Sequence, residues 1–172
     1  MDTYQDYRPF LHDGDILEWS SDAIIGRLIQ LFAKTDVNHT SGVIRMKQYE
    51  DDPGDRVFTT EAISHGVSLT YLSRALQGCR KRVYWLPLKP EYDKYRRDIA
   101  RAQLSMVGVP YDYQNLFKSA LGRVSTNAKR LFCSEMIGWS LEQAGVIPKQ
   151  PSALWPGEFA ALGIFQKRVR IF

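Results

Sequence analysis

The most constraining feature of the sequence is a cysteine at the beginning of a helical pattern that ends at a glycine. Within residues 130–146, apolar side chains recur at three- and four-residue spacing and the charged ones fall elsewhere, which predicts a half-buried helix. Gly145 suits the left-handed conformation after a last helical turn, and Val146 can then fold back onto Leu141. The pattern predicts that Cys133 lies at or just before the first turn and that the helix ends in a Schellman motif.

Two interpretations of Cys133 follow from this position. Free N–H groups and the positive end of the helix dipole favour a thiolate, which is the form that attacks carbonyl carbons. Cysteine is also among the most buried residue types and often packs as a small hydrophobe. A base elsewhere in the chain would favour the first interpretation.

The candidate base is one of the three histidines, His12, His39 and His65. His39 opens a segment rich in β-branched residues, 39–45, and a similar segment, 56–63, follows a turn rich in Asp, Pro and Gly. This order predicts a β-hairpin.

In that hairpin the residue opposite His39 falls near position 62, which makes Glu61 a neighbour of His39. Cross-strand neighbours lie about 5 Å apart at Cβ, so a carboxylate can hold one imidazole nitrogen while the other faces a nucleophile. This is the base and orienting acid of a nucleophilic triad. Taken separately, His39 could be a hydrogen-bonded residue at a strand end and Glu61 a solvent-facing one.

The order of these parts resembles the circularly permuted NlpC-type papain-like proteins, which include YiiX-like hydrolases and, more distantly, lecithin retinol acyltransferase. The resemblance spans nearly the whole chain and is carried by short motifs: Gly14-Asp15-Ile16-Leu17, His39 with Gly42-Val43-Ile44, Glu61-Ala62 with Gly66-Val67, Tyr111-Asp112-Tyr113, and Phe132-Cys133-Ser134-Glu135. In the permuted branch the histidine strand precedes the cysteine helix, as it does here. The residues after His39, Thr40-Ser41-Gly42, are more polar than the valine-rich start typical of the family.

The resemblance implies that Cys133 is the nucleophile, His39 the general base and Glu61 the third residue. It places the loop that contains Tyr111 and Tyr113 near the site, where a tyrosine hydroxyl could bind substrate or an oxyanion. Each tyrosine could equally be buried and structural. The backbone N–H of Cys133, at the predicted helix start, is the other candidate oxyanion donor.

The remaining patterns predict an α+β fold in which an antiparallel sheet packs against the cysteine helix. Further elements are expected at Ile16 to Trp19 (strand), Ser20 or Ser21 to about Ala33 (helix), 66–69 (strand or turn), 71–76 (helical turn), 82–87 (strand), Glu91 to Val107 (helix), 116–121 (helix), 159–162 (helix) and 168–172 (edge strand). We expect residues 1–172 to form one domain, because no linker or repeat divides them.

Charge and composition exclude several classes of function. The net charge of +4 comes from scattered clusters, so nucleic-acid binding is not expected. No ligand spacing for a metal and no phosphate-binding loop is present, so we expect no cofactor. The expected partner is a peptide or lipid acyl substrate. The apolar helix that begins after Ser20 is expected to be core, although it could also line an acyl-chain entrance or touch a membrane peripherally.

The beginning of the sequence shows no signal peptide, and no segment approaches membrane-spanning length. We therefore expect a cytosolic protein, although delivery to a cell wall or virion would leave the same pattern. Two cysteines without a secretory context argue against a disulfide framework, and Cys79 is expected to be a plain thiol.

The sequence thus favours a thiol hydrolase that forms an acyl-enzyme on an amide, such as a cell-wall peptide or isopeptide bond, or on a lipid ester or thioester. An acyltransferase and a non-catalytic binding module are the alternatives. The oligomeric state is left open.

Overall fold

The computed structural model describes residues 4–20, 35–47, 55–63, 66–77, 82–109 and 128–172. The described strands are β1 (Ile16–Trp19), β2 (His39–Lys47), β3 (Asp55–Ile63), β4 (Gly66–Tyr71), β5 (Val83–Leu86) and β6 (Val169–Arg170). The described α-helices are Tyr4–Tyr7, Leu72–Gln77, Arg96–Leu104 and Ala128–Gln143, and 3-10 helices span Arg8–Phe10, Pro90–Tyr95 and Phe159–Leu162. We refer to Arg96–Leu104 as the Arg96 helix and to Ala128–Gln143 as the cysteine helix.

The strands form an antiparallel sheet in the order β4-β3-β2-β1-β5-β6. The predicted hairpin is confirmed, since β2 pairs with β3 from Gly42 opposite Thr60 to Lys47 opposite Asp55. The predicted strand near the C-terminal end of the sequence is also confirmed, and it pairs with β5 at one edge of the sheet.

Both faces of the sheet are covered, which explains why β1 is buried at every position. Successive strand residues point to opposite faces. Ile16 therefore joins a core with the two long helices, through residues such as Ile99 and Ile137. Leu17 points the other way, into a second core with Val43 and Leu72. The first of these cores places the cysteine helix against β2 and β3.

A buried amide fixes the two long helices to the sheet. The side chain of Gln103, in the Arg96 helix, accepts a hydrogen bond from the Thr60 hydroxyl in β3 at 3.0 Å. Its Nε2 donates to Ser140 Oγ in the cysteine helix at 3.4 Å. Gly42, opposite Thr60, leaves room for this amide, because a Cβ at position 42 would overlap Gln103. The contact sets the register between sheet and helices.

The Arg96 helix differs from its prediction. The sequence predicted one α-helix from Glu91 to Val107. The segment Pro90–Tyr95 is instead a 3-10 helix, and the α-helix ends at Leu104. Arg96 turns inward because the buried Asp15 carboxylate attracts its guanidinium, which also donates to the Asp13 and Leu88 carbonyls.

The end of the cysteine helix follows its prediction, but the beginning does not. Gly145 has φ of +72°, its N–H donates to the Glu142 carbonyl, and the Val146 N–H donates to the Leu141 carbonyl at 2.9 Å. This confirms the Schellman motif. The helix begins at Ala128, so the prediction that Cys133 lies at the first turn was wrong. The residues before Cys133 are good helix formers, and no residue there stops the helix from extending.

Several predicted segments lie outside the described residues, namely the turn between β2 and β3, the helix expected up to Ala33, the loop with Tyr111 and Tyr113, and the helix expected at 116–121. Within the part of the chain that is described, no helix has both the length and the apolar character needed to cross a bilayer.

Candidate active site

Three predicted site residues meet where the cysteine helix packs on the beginning of β2. His39 is the first residue of β2, Glu61 lies near the end of β3, and Cys133 lies in the second turn of the cysteine helix. All three are largely buried, but to different extents. Cys133 is 6% exposed, and the side chains of His39 and Glu61 are 24% and 17% exposed. The candidate nucleophile is therefore the most enclosed member, and the base and acid retain access to solvent.

The imidazole of His39 is oriented by Glu61. Its Nε2 lies 3.1 Å from Oε2 of Glu61. An ionised carboxylate can only accept hydrogen bonds, so Nε2 carries a proton and donates a hydrogen bond to Glu61. The other ring nitrogen, Nδ1, is then left for the hydrogen bond between His39 and Cys133. The structure thus brings together the three residues in the order that the sequence predicted.

The electrostatics of the pair favour a thiolate and an imidazolium. Burial raises the pKa of the Cys133 thiol, but the positive charge of His39, its hydrogen bond and the N–H groups of Thr40 and Ser134 lower that pKa by more. Burial lowers the pKa of His39, whereas the charge of Cys133 and hydrogen bonds to Cys133 and Glu61 raise it by more. Each partner therefore stabilises the charged form of the other.

The N–H of Thr40 reaches the sulfur because the strands separate at this point. The β2–β3 pairing begins at Gly42 opposite Thr60, so Thr40 lies beyond the end of that ladder. Its N–H makes the hydrogen bond to the sulfur of Cys133 instead of bonding to β3.

The helix start also changes the assignment of the oxyanion donor. In a regular α-helix the N–H of the sixth residue bonds the carbonyl four residues earlier. Cys133 is the sixth residue from Ala128. The structure therefore does not support the prediction that its N–H is free to bind an oxyanion. The helix dipole also acts mainly within the first turn, so the lowered pKa of Cys133 is due to His39 rather than to the helix end.

The polar residues after His39 have a structural explanation. Ser41 Oγ accepts hydrogen bonds from Trp19 Nε1 at 2.7 Å and from the Thr59 hydroxyl at 2.8 Å, and all three residues are buried. Trp19 pairs with His39 across β1 and β2, and the two rings lie 6.4 Å apart. Ser41 thus fixes the indole beside the His39 imidazole.

A buried glutamate that was not predicted from the sequence lies beside this site. Glu18, in β1, is fully buried and lies directly opposite Thr40 in β2. Its Oε1 accepts a hydrogen bond from the Gly157 N–H at 3.0 Å. Burial raises its pKa to about 7, against the opposing effects of the Arg168 charge and the Gly157 hydrogen bond. A carboxylate between apolar strand residues in Ile16-Leu17-Glu18-Trp19 was the signal that could have revealed it.

The other candidates named from the sequence are outside this cluster or outside the described residues. His12 is exposed at the turn before β1 and takes no part in the site. Tyr111, Tyr113, His65 and Cys79 lie in segments that the structure does not describe.

These features define an α+β protein with a permuted papain-like arrangement, in which a histidine strand and an acid strand precede the cysteine helix. Residues 10–164 match the sequence profile of the peptidase C92 family, described as permuted papain-like amidase enzymes of the YaeF/YiiX type. The chain belongs to this family. Among proteins with curated descriptions, none matches it in sequence.

A solved structure supports the fold independently. The crystal structure of YiiX from Escherichia coli O157:H7 is similar with a TM-score of 0.59 at 20% identity, over 80% of this chain and 68% of YiiX. The predicted α+β permuted papain-like fold is thereby confirmed.

YiiX itself is described as a metalloprotein. In this chain, the described residues contain no group of three or more His, Cys, Asp or Glu side chains that could hold a metal ion. Cys133 contacts His39 and His39 contacts Glu61, an arrangement suited to proton transfer.

Proposed function

We propose that this member of the amidase family is a cysteine hydrolase that cleaves an amide bond through an acyl-enzyme on Cys133. The observation that carries the proposal is the ordered series of contacts from Cys133 to His39 to Glu61, with 3.1 Å between the last two. The same series supplies a nucleophile, a base and an orienting acid.

The first half of the reaction forms the acyl-enzyme. The Cys133 proton resides on His39 in the ion pair, and Sγ attacks the carbonyl carbon of the amide to give a tetrahedral oxyanion. Its collapse breaks the C–N bond, and the leaving amine takes the proton from His39. Glu61 holds the imidazole in place and stabilises its positive charge while the proton is there.

The second half returns the enzyme to its starting state. His39, now neutral, accepts a proton from water as the water oxygen attacks the thioester carbon. Collapse of this second intermediate breaks the C–S bond, releases the carboxylic acid and restores the ion pair. A hydroxyl of Tyr111 or Tyr113 stays our proposal for an oxyanion donor.

The amide substrate is favoured over a lipid ester or thioester because the family is described as amidases. Peptide and isopeptide bonds, including those of cell-wall peptides, are the substrate class that this chemistry fits. An acyltransferase would share the first half of the reaction and differ only in the acceptor that attacks the thioester. Adding a primary amine or a lysolipid during turnover separates the two, because a transferase diverts product to the acceptor and a hydrolase does not.

The test of the proposal is the rate of iodoacetamide alkylation of Cys133 as a function of pH, resolved by peptide mass spectrometry. Cys79 in the same chain is the internal control, and His39→Ala is the matched variant. We expect Cys133 to react well below the free-thiol pKa of about 8.5 and to lose this reactivity in His39→Ala. A Cys133 that reacts like Cys79, whatever occupies position 39, would contradict the catalytic role and favour a binding module.

A hydrolase assay on a panel of peptide and isopeptide amides then tests the reaction itself. Cys133→Ala should abolish turnover, and a parent enzyme in which Cys133 is alkylated should be equally inactive. Accumulation of an adduct on Cys133 with a slow substrate would demonstrate the acyl-enzyme.

A further inference from the structure

The indole of Trp19 is a third neighbour of the His39 imidazole and is not used by the mechanism above. The two residues lie directly opposite each other on β1 and β2, and their rings are tilted by 52° with centroids 6.4 Å apart. Aromatic rings at this distance and tilt attract each other. Trp19 is only 7% exposed, so the indole is part of the protein interior.

The indole and the sulfur that contact His39 belong to different cores. Trp19 packs with Leu17 and Val43, on the sheet face away from the cysteine helix. Cys133 belongs to the core that the cysteine helix forms with the sheet. His39 therefore has contacts in both cores, a hydrogen bond to Cys133 in one and the ring contact with Trp19 in the other.

Trp19 is itself held in place at two points. Its Nε1 donates to Ser41 Oγ at 2.7 Å, and the same oxygen accepts a hydrogen bond from the Thr59 hydroxyl at 2.8 Å. At the backbone, the Trp19 carbonyl accepts a hydrogen bond from the Asn38 N–H at 2.8 Å. Asn38 directly precedes His39, and Ser41 follows it by two residues. The indole is thus tied to the same short segment that carries the imidazole.

The proposed mechanism changes the contacts that hold the imidazole. In the free enzyme two charge-assisted hydrogen bonds fix it, one to the Cys133 thiolate and one to Glu61. Once Sγ carries the acyl group it has no charge, so the bond to Cys133 is lost and the bond to Glu61 remains. The His39 side chain is 24% exposed, so an imidazole held at one nitrogen has room to turn towards solvent.

Resting on the proposed function, we propose that Trp19 is a positioning residue for deacylation: its indole keeps the His39 imidazole on Glu61 while Cys133 carries the acyl group. The base then stays in place for the water that attacks the thioester. Trp19 acts through His39 and does not touch the substrate. Its effect should therefore fall on the second half of the reaction and not on the first.

The test measures the two halves separately, with p-nitrophenyl acetate as the probe. The Cys133 thiolate attacks the ester carbonyl, the C–O bond breaks, and the release of p-nitrophenolate reports acylation. This leaving group needs no proton, so the proton on His39 passes to solvent. After the excess probe is removed, water gives a proton to His39 and attacks the thioester, the C–S bond breaks and acetate is released. Mass spectrometry of the intact protein follows this loss of the acetyl group.

Trp85 offers a matched control for Trp19. It is a tryptophan of the same core, 8% exposed, and its Nε1 also donates a hydrogen bond, to Asp15 at 2.8 Å. Its ring packs against Tyr7. Leucine and phenylalanine substitutions at position 85 therefore perturb the same core to a similar extent without removing the indole beside His39.

We expect Trp19→Leu to slow deacylation about 2- to 10-fold, which is the effect on rate that the loss of one aromatic pair corresponds to. Acylation and the pH midpoint of Cys133 alkylation should stay near the parent values, because both hydrogen bonds hold the imidazole in the free enzyme. Trp19→Phe keeps a ring but loses the bond to Ser41, so we expect a smaller fall in the same step. Trp85→Leu and Trp85→Phe should keep the parent ratio of the two rates.

The outcomes distinguish this inference from the function on which it rests. A fall in deacylation alone, confined to the Trp19 variants, supports the positioning role. The role is overturned by a Trp19→Phe protein that loses its acetyl group as fast as the parent, even when Trp19→Leu fails to fold. A fall that Trp85→Phe shares, or one that is equal for acylation and deacylation, also overturns it, because a loosened core then explains the effect. If the parent gains no acetyl group on Cys133, or if His39→Ala gains it equally fast, the proposed function fails and this inference fails with it.

Discussion

The Nε2 atom of His39 lies 3.1 Å from Oε2 of Glu61, and both residues belong to one hairpin, β2 and β3. Two of the three proposed triad members therefore lie on one hairpin, just beyond the end of its β2–β3 ladder. The third, Cys133, is brought to them by helix packing. This division predicts that changes in the hairpin and changes in the helix affect the site in different ways.

Replacing Glu61 with Gln should reduce kcat about 10- to 100-fold, because an amide cannot supply the negative charge that stabilises the imidazolium. A hydrogen bond to a charged group contributes about 1.5 to 3 kcal/mol, and each 1.4 kcal/mol corresponds to a factor of about ten in rate. Steady-state kinetics and thermal unfolding should be measured together. Glu91→Gln, at an exposed position, is the matched control. A Glu61→Gln enzyme that retains full kcat but unfolds far more readily would show that Glu61 is structural.

The stability of the protein should depend on the ionisation of Glu18. Its pKa is about 7 in the folded state and near 4.5 otherwise, so the folded protein binds more protons between these values. The free energy of unfolding must therefore fall as pH rises from about 4.5 to about 7, by up to ~3 kcal/mol from this group.

Urea unfolding of the parent and of Glu18→Gln across this pH range checks the effect. In Glu18→Gln the free energy of unfolding should not show this fall with rising pH, because the amide does not titrate. Parallel curves for the two proteins would mean that Glu18 keeps an ordinary pKa in the folded state.

Two glycine-to-alanine changes should have opposite effects on stability. Gly42→Ala should lower the free energy of unfolding by about 1 to 3 kcal/mol, because its Cβ would displace the buried Gln103 amide from Thr60 and Ser140. Gly138→Ala should raise it by up to about 1 kcal/mol, since the site in the cysteine helix has room for a methyl group. Chemical denaturation measures both. A rise in the free energy of unfolding on Gly42→Ala would show that the Gln103 amide does not need the space that Gly42 leaves.

Removing the Asp15 carboxylate should cost about 3 to 5 kcal/mol of stability. Asp15 is 1% exposed, accepts hydrogen bonds from Trp85 Nε1 and the Leu88 N–H, and pairs with Arg96 at 2.7 Å. Asp15→Ala leaves the Trp85 indole N–H without its partner and leaves Arg96 with only the exposed Asp93 carboxylate.

The control for Asp15 is Asp98→Ala, which breaks an exposed pair with Arg101 and should change stability by less than about 1 kcal/mol. Equal effects of the two substitutions in denaturation experiments would contradict the distinction between buried and exposed pairs.

Local patterns in the sequence were sufficient to predict the hairpin, the end of the cysteine helix and the neighbourhood of His39 and Glu61. These features depend on turn residues, alternation and the left-handed glycine, all of which are local. The start of the cysteine helix was misplaced because no stop signal precedes Cys133, and helix formers extend the pattern upstream.

Features that depend on distant contacts could not be predicted. The inward turn of Arg96 depends on Asp15, a partner far away in the sequence. The apolar neighbours of Glu18 indicate a buried carboxylate, but only the sheet pairing shows that it lies opposite Thr40. The fit between Gly42 and Gln103 likewise appears only when strand and helix are placed together.

The permuted order of the elements has a consequence for the protein during its synthesis. The ribosome releases β2 and β3 well before the cysteine helix, so the base and its acid can pair while the nucleophile is still unmade. A nascent chain that ends before residue 133 therefore carries the proposed base and acid without the cysteine that they are proposed to activate. On the proposed mechanism, hydrolytic competence can arise only after the cysteine helix has been made and has docked on the sheet.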